Sequence, residues 1–437
     1  MGFIGKFERV ARDLVIGIAV GVLSGFGSFA FLRSLDWATD TRLANGWLLW
    51  LLPVAGFLIG LTYKHLGGES SKGTNLILDE WHDPTDPGPP KRMGPLVLAG
   101  ATMTHLFGGS GGREGAAVQI AASLTSIFRR WIRPEDRRAV MVAAIAGGFG
   151  SVFGVPAAGT VFALEVPSVG RARFDHMLSA LTASFVGDLV AVRLGIRHTL
   201  PSPVALKVDA TTAMKLLAAS VAFGLCAMAF VELTHFIKRG LVSRISYAPL
   251  RPALGGVAVV ALATALGTRA YLGLSLPLID DALAGLTIVS VAFALKLVFT
   301  SLTIGSGFPG GEVTPLFCMG ACLGSVLAGP LHLAPSTLAA LGMVAVFGAA
   351  SNTPLACALV GIELFGGGAA FAFVVVTIVA TVVSGDRSVY GKQRVVHSMR
   401  GRAIPAHLDT MAAIESDRLA AGQKLLRGVR VNRFRSR

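Results

Sequence analysis

Two glycine-rich stretches, GGSGGREGAA at residues 108–117 and GSGFPGGEVTP at residues 305–315, interrupt an otherwise apolar chain, and each contains one glutamate. Three pairs of identical residues share one spacing of 198 positions (312 minus 114), namely Glu114 and Glu312, Pro156 and Pro354, and Glu165 and Glu363. Three landmarks at one spacing predict two copies of one module. Repeated halves with interrupted helices are typical of secondary transporters, in which the interruptions form the substrate site.

The composition is that of a membrane protein. Hydrophobic residues make up 53% of the 437 positions, charged residues only 15%, and the mean hydropathy is +0.66. Apolar runs of membrane-spanning length recur between Leu14 and Val383. These features indicate a polytopic membrane protein and disfavour the alternative, which is a soluble protein with an unusually large core.

The order of apolar and polar segments predicts an all-α, polytopic integral membrane protein built from two repeated halves, which we expect to be inverted. Several apolar stretches are shorter than the roughly 20 residues that a full span needs, so broken and re-entrant helices are expected. The predicted segments are a cytoplasmic N-terminal segment 1–12, a first membrane repeat 13–200, a linker 201–211, a second membrane repeat 212–390 and a basic cytoplasmic tail 391–437.

The net charge of +14 is concentrated in three clusters that flank apolar spans, at residues 6–12, 129–138 and 392–437. By the positive-inside rule these clusters are expected to be cytoplasmic, which places both termini inside the cell. The basic, compact form of the chain suggests a bacterial inner membrane. Nucleic-acid binding is disfavoured because the charge does not form one face of a folded domain. The expected surroundings are therefore a lipid bilayer.

The first glycine-rich stretch predicts a helix that starts near Glu114, because helix-forming residues follow only after the glycines. A helix N-terminus presents unpaired N–H groups and a partial positive charge, which attract anions. A carboxylate there can occupy an anion site and leave it when protonated, so Glu114 is a candidate gate and proton carrier. The alternative is a plain helix cap. A nucleotide loop is excluded because the Lys-Ser/Thr ending is missing.

The second stretch has the same pattern, and Val313, Thr314 and Pro315 are expected to begin a helix after the glycines. The backbone N–H groups of Val313 and Thr314 would point toward an anion. Glu312 is a second carboxylate at the equivalent place, and its alternative role is an ion pair with a basic residue.

Other polar residues of the apolar segments are expected to be structural. Glu165 and Glu363 end repeated helices and should make paired contacts, while Lys296 and Glu232 should form ion pairs or extend toward an interface. No nucleophile, metal set or cofactor motif accompanies the two gate-region acids, which disfavours a membrane-embedded enzyme. The cysteines are expected to be small packing residues, and they are Cys226, Cys318, Cys322 and Cys357.

Several of these motifs carry a family resemblance. GREG at residues 112–115 resembles the gating-glutamate motif of the CLC family of chloride channels and anion/proton antiporters, and GGEVTP at residues 310–315 resembles the family's second anion-binding motif. Tyr390 resembles the family's pore tyrosine, and residues 150–165 and 348–363 also resemble CLC sequence. The resemblance covers nearly all of residues 14–390 and implies a homodimer with one pathway per subunit.

Two departures from the family pattern narrow the resemblance. Gly-Thr-Asn-Leu at residues 73–76 stands where the family has Gly-Ser-Gly-Ile-Pro, and Val313 stands where the family has phenylalanine. With GGEVTP, these departures resemble the CLC branch that exports fluoride in exchange for protons. The nearest alternative is a chloride-selective CLC antiporter or a passive anion channel.

The resemblance implies a site for fluoride and protons without a metal or cofactor. Glu114 would be the gate, and Glu312 would be a second ion- or proton-coupled acid. The anion-binding residues would be Thr74, Asn75, Gly112, Arg113, Gly115, Val313, Thr314 and Tyr390, and either Thr74 or Asn75 could supply the contact from its segment. Fluoride is small and strongly hydrated, and the hydroxyl and amide groups of this set are compact donors that could replace its water.

Overall fold

The computed structural model describes residues 3–84, 88–198, 201–399, 401, 405 and 408–421. Sixteen α-helices account for most of this part of the chain, and a two-residue parallel pairing of β1 (Ser168–Val169) with β2 (Arg394–Val395) is the sheet within it. The helices are α1 (Phe3–Ala44), α2 (Leu52–Thr62), α3 (Thr74–His82), α4 (Met93–Leu106), α5 (Glu114–Thr125), α6 (Arg137–Phe153), α7 (Pro156–Glu165), α8 (Met177–Arg193), α9 (Ala210–Arg244), α10 (Leu250–Leu266), α11 (Leu276–Leu283), α12 (Ala292–Ser306), α13 (Val313–Leu331), α14 (Pro335–Ser351), α15 (Pro354–Phe365) and α16 (Ala370–Ser384).

Five helical stretches of the described chain are long and apolar enough to cross a membrane, and they are Glu8–Ala44, Gly46–His82, Ala210–Arg244, Val313–Leu331 and Gly367–Ser384. Several other apolar helices have 10–17 residues. One face of α1 exposes large apolar side chains such as Val15, Ile18 and Phe26, whereas its other face packs against α8 and α6. An apolar outer surface of this extent is suited to lipid and not to water. The prediction of an all-α, multi-spanning fold is confirmed.

The two halves repeat the same order of helices. A long helix, α1 or α9, packs along the last helix of its half, α8 or α16. Between them, α6 and α7 correspond to α14 and α15, because Arg137 and Pro335 begin α6 and α14 at the spacing found in the sequence (335 minus 137 is 198). Proline begins α7 and α15, where its missing N–H has no cost.

The ends of the repeated helices also correspond. Gly154 after α6 and Asn352 after α14 both adopt the left-handed conformation, with φ values of 72° and 56°, and both terminate a helix. Glycine and asparagine are the residues that tolerate this conformation best, so one sequence position fixes the same helix end in both halves.

Reciprocal contacts relate the two halves by an approximate two-fold axis. The carboxyl group of Glu165 at the end of α7 accepts the backbone N–H groups of Leu355 and Ala356 at the start of α15, at 3.2 and 2.8 Å. The carboxyl group of Glu363 accepts the N–H groups of the first turn of α7, at 2.9 and 2.7 Å. Because each helix caps the other, the expectation of paired structural contacts is confirmed.

The expected boundaries between the terminal segments and the membrane repeats do not coincide with breaks in the structure. Helix α1 runs without a break through the position at which the N-terminal segment was expected to end. Residues 201–209 have no regular secondary structure, and Val204 donates its N–H to the carbonyl of Phe365. Within the tail, β2 pairs with β1 and residues 411–421 are helical, so part of the basic tail is packed against the membrane repeats.

Candidate functional site

The two glycine-rich stretches meet backbone to backbone. Gly112 donates its N–H to the carbonyl of Gly311 at 2.6 Å, and Gly311 donates to the carbonyl of Gly112 at 2.8 Å, in an antiparallel bridge. A Cβ atom on Gly112 would lie 2.8 Å from both the Gly311 oxygen and Cδ of Pro315, so only glycine allows this approach. The bridge sets the starts of α5 and α13 side by side.

Glu114 is the first residue of α5 and is fully buried. Its carboxyl group reaches the start of α13, where Thr314 donates its backbone N–H at 3.1 Å and its hydroxyl at 2.5 Å. Arg113 adds its own backbone N–H at 3.1 Å and its guanidinium Nε at 3.3 Å. The carboxyl group of one half therefore sits where the helix N-terminus of the other half would hold an anion, and it also accepts the backbone N–H just before its own helix.

Glu312 has a different environment although it precedes α13 as Glu114 begins α5. Its side chain is partly exposed and lines a wide vestibule. Oε2 lies 3.4 Å from the position that a Cβ on Gly115 would take. Among the residues that the structure describes, Glu312 makes no ion pair within 4.0 Å, so the alternative role considered for it is not observed there.

A cavity of about 10 Å³ lies at the helix starts, which is room for about one water-sized particle. Thr74, Glu114 and Tyr390 are the polar residues of its lining. The rest of the lining is Gly115 and the apolar residues Ile77, Leu78, Val118, Ile145, Phe149, Phe162, Val166 and Val313. Thr74, Glu114 and Val313 are the first residues of α3, α5 and α13. Three helix N-termini therefore converge on one enclosed space, and their partial positive charges add there.

A vestibule of about 620 Å³ adjoins this cavity. Thr74 and Tyr390 line both spaces and therefore form the boundary between them. The positively charged residues of the vestibule lining are Lys64, Lys72, Lys238 and Arg251. Their combined field favours the entry of anions toward the cavity.

The structure separates Thr74 from Asn75. Thr74 faces the cavity, and its Oγ1 accepts a hydrogen bond of 3.1 Å from Nε2 of Gln119. Asn75 lines only the vestibule, and its Oδ1 accepts the backbone N–H of Lys392 at 3.0 Å. Gln119 was not predicted, although its position one helical turn after Gly115 places it on the same face of α5.

The two other charged residues of the apolar segments behave differently from each other. Glu232 pairs with Arg387 at 2.7 Å and with Arg418 at 2.5 Å, as expected. Lys296 is fully buried and forms neither of the expected contacts. It donates to the hydroxyl of Ser110 at 2.9 Å and to the carbonyl of Gly273 at 2.8 Å, so it fixes the loop before Glu114. A short-range sequence pattern could not show that these loops surround it.

Helix starts from two repeated halves, converging on one cavity inside a multi-spanning helical protein, define a repeat-built membrane protein of the transporter class. The family model described as voltage gated chloride channel matches residues 55–385. The chain therefore belongs to the CLC family.

Relatives of known sequence and structure agree with this family. The chain is 42% identical over 427 residues to a chloride/fluoride channel protein of Pseudomonas syringae pv. tomato, which covers 93% of this chain and 94% of that protein. It is 26% identical over 408 residues to an H(+)/Cl(-) exchange transporter of Vibrio parahaemolyticus, covering 83% and 84% of the two chains. A crystal structure of a CLC-type fluoride/proton antiporter matches with a TM-score of 0.86 and 33% identity, over 90% of this chain and 100% of that one.

Proposed function

We propose that this protein exports fluoride in exchange for protons and that Glu114 is its gate. The observation that carries the proposal is the position of the Glu114 carboxyl group, which takes both the N–H and the hydroxyl of Thr314 at the start of α13. These donors would otherwise be available to an anion, so the carboxylate and the anion compete for one place. The names of the two similar proteins that mention fluoride support the choice of anion.

The donors around the cavity favour fluoride over chloride. Fluoride holds its water strongly, so its dehydration requires strong, compact donors. We assign this role to the hydroxyl groups of Thr74, Thr314 and Tyr390, together with the backbone at the starts of α5 and α13 that includes Gly112, Arg113, Gly115 and Val313.

In the proposed cycle, fluoride enters from the cytoplasm through the basic vestibule and passes Asn75 and Glu312 before reaching the cavity. Protonation of Glu114 removes the negative charge that the start of α13 attracts, so the carboxyl group leaves and fluoride replaces it. The proton then moves inward as fluoride moves outward. A proton gradient and an inside-negative potential would both drive fluoride efflux.

The wider organisation belongs to the same proposal. The protein would act as a homodimer with one pathway per subunit, in a bacterial inner membrane, with both termini in the cytoplasm. The membrane repeats would comprise residues 13–200 and 212–390, joined by the linker 201–211, with the segment 1–12 before them and the tail 391–437 after them. Its role would be transport and not enzymatic turnover.

The test is anion efflux from liposomes that contain the purified protein and are loaded with fluoride or with chloride, while the external pH is recorded. Fluoride efflux with proton uptake, little affected by chloride, is the expected result. Equal or faster chloride efflux would instead establish the alternative, a chloride-transporting CLC protein. Absence of flux for both anions, with folded and correctly oriented protein, would overturn the transport proposal altogether.

A further inference from the structure

Gln119 is a buried polar residue of α5 that the proposed cycle does not use. Gln119 is 9% exposed and lies against the turn at Gly73. A Cβ atom added to Gly73 would be 3.6 Å from Oε1 of Gln119. Its Nε2 donates to Oγ1 of Thr74 at 3.1 Å. Gln119 therefore connects α5, which carries Glu114, with the first residue of α3.

This hydrogen bond determines what the Thr74 hydroxyl can do. A hydroxyl has one hydrogen to donate and two lone pairs that accept. Nε2 of Gln119 donates to one lone pair of the Thr74 hydroxyl oxygen. The hydroxyl hydrogen of Thr74 is therefore directed away from Gln119. Thr74 lines both the small cavity and the vestibule, so that hydrogen is free to meet an acceptor at the boundary between the two spaces.

Other threonines of the protein use their hydroxyl hydrogen differently. Thr102, Thr104 and Thr160 donate to the carbonyl four residues earlier, at 2.7, 2.9 and 2.9 Å. Across the described ranges, the Thr74 hydroxyl donates to no backbone carbonyl, and its recorded partner is Gln119. A threonine that bonds its own helix backbone is unavailable to a ligand, whereas Thr74 is the first residue of α3, has no carbonyl of that helix four residues earlier and stays available.

We infer that Gln119 is a positioning residue for anion selectivity, which holds the Thr74 hydroxyl as a donor toward a small, strongly hydrated anion in the cavity. This inference rests on the proposed fluoride transport. Gln119 lines the vestibule and not the cavity, so it does not touch an anion that is bound in the cavity. An oriented donor favours fluoride because fluoride gains more than chloride from a short hydrogen bond to a hydroxyl, and an unoriented hydroxyl would lose part of that advantage.

The experiment compares Gln119→Met, Thr74→Val and the double variant in liposomes, with the ratio of fluoride to chloride efflux as the readout. Methionine keeps the length of the glutamine side chain but cannot donate. Each single variant should lower the ratio by about tenfold, the loss expected for one hydrogen bond to a charged group. The double variant should show no further loss, because both changes remove the same interaction. Proton coupling should persist because Glu114 is intact.

Ser123→Ala is the matched control. Ser123 lies on the same face of α5 one turn beyond Gln119, is also buried, and accepts the backbone N–H of Gly94 at 2.8 Å, far from the anion cavity. If Gln119 had a purely structural role, Gln119→Met and Ser123→Ala would both reduce the amount of folded protein and leave the ratio of fluoride to chloride efflux unchanged. Unchanged selectivity in Gln119→Met, with selectivity lost in Thr74→Val, would overturn this inference alone. A wild-type protein without preference for fluoride would overturn the proposed function and this inference with it.

Discussion

Two pairs of glutamates occupy equivalent positions in the repeated halves, yet only one pair is symmetric. Glu165 and Glu363 exchange the same contact, because each accepts two backbone N–H groups at the start of the helix that carries the other. Glu114 reaches across to the start of α13, but in the described chain Glu312 accepts no hydrogen bond from the start of α5, although its Oε2 lies beside Gly115. Glu114 is fully buried, whereas Glu312 faces the vestibule.

The difference between the two pairs distinguishes a structural contact, made by Glu165 and Glu363, from the candidate site at Glu114 and Glu312. In a reciprocal pair the donors and acceptors are all hydrogen-bonded, so anion binding is not expected to change these contacts. In the proposed cycle, the asymmetric pair instead places one carboxyl group at the anion position and the other on the route toward it. The experiments below test this division.

The largest expected effect is from Glu114→Gln. Glutamine is similar in shape but cannot carry a proton through the cycle, so proton uptake during fluoride efflux should fall to background while anion movement continues. The measurement is simultaneous recording of fluoride and external pH with reconstituted liposomes. Glu363→Gln, a change of the same kind in the symmetric pair, should keep the wild-type ratio of protons to anions. Unchanged coupling in Glu114→Gln would end its assignment as the gate.

Much of this division could be predicted from the sequence. The repeat spacing, the helix starts at Glu114 and Val313, and the structural role of Glu165 and Glu363 followed from local chemistry, since glycine interrupts a helix and a helix start attracts carboxylates. The different surroundings of Glu312 could not be predicted, because they depend on which distant segments enclose it. The same reason applies to Gln119 and Lys296, whose partners lie 45 and 186 positions away.

The second prediction compares two glycines of the same motif. Gly112→Ala should unfold the site, because the added Cβ would meet the Gly311 oxygen at 2.8 Å and break the bridge between the halves. Gly115→Ala should fold normally, because its Cβ would be in ordinary contact, 3.4 Å from Glu312 Oε2 and 3.6 Å from Thr74 Oγ1.

The two alanine variants should therefore differ in how they lose transport. The Gly115 variant places a methyl group between Glu312 and Thr74, so we expect fluoride efflux to slow by about tenfold, equal to about 1.4 kcal/mol in the barrier. The Gly112 variant should lose folded protein, measured by thermal unfolding and size-exclusion chromatography. Equal unfolding of both variants would show that Gly115 serves packing and does not lie beside the route.

The third prediction concerns the symmetric pair. Glu165→Gln and Glu363→Gln should each lower the free energy of unfolding by about 1–2 kcal/mol, because the amide keeps one acceptor oxygen but presents an N–H group to the second backbone donor. The effects should be similar for both variants if the pair is reciprocal. Chemical unfolding in detergent gives the stability, and liposome flux per folded molecule should stay unchanged. A loss of anion selectivity in either variant would contradict the structural role.

The contacts of the C-terminal tail with the membrane repeats were the least predictable part, since a basic composition does not indicate where a tail binds. The helical residues 411–421 lie near the vestibule, and Glu415 pairs with Arg239 and with His235 on α9. Composition alone shows that this tail is charged, but the position of an acid opposite α9 follows only from the folded chain.

The smallest expected effect is from Glu415→Gln. Its side chain is 19% exposed and that of Arg239 is 38% exposed, so solvent and salt screen this pair far more than the contacts of Glu165. We expect a loss of less than about 1 kcal/mol in the free energy of unfolding, which shrinks further at high salt. Parallel unfolding curves of Glu415→Gln and Glu165→Gln at low and high salt provide the measurement. A loss as large as that of Glu165→Gln, and insensitive to salt, would mean that the tail belongs to the scaffold as fully as the reciprocal pair does.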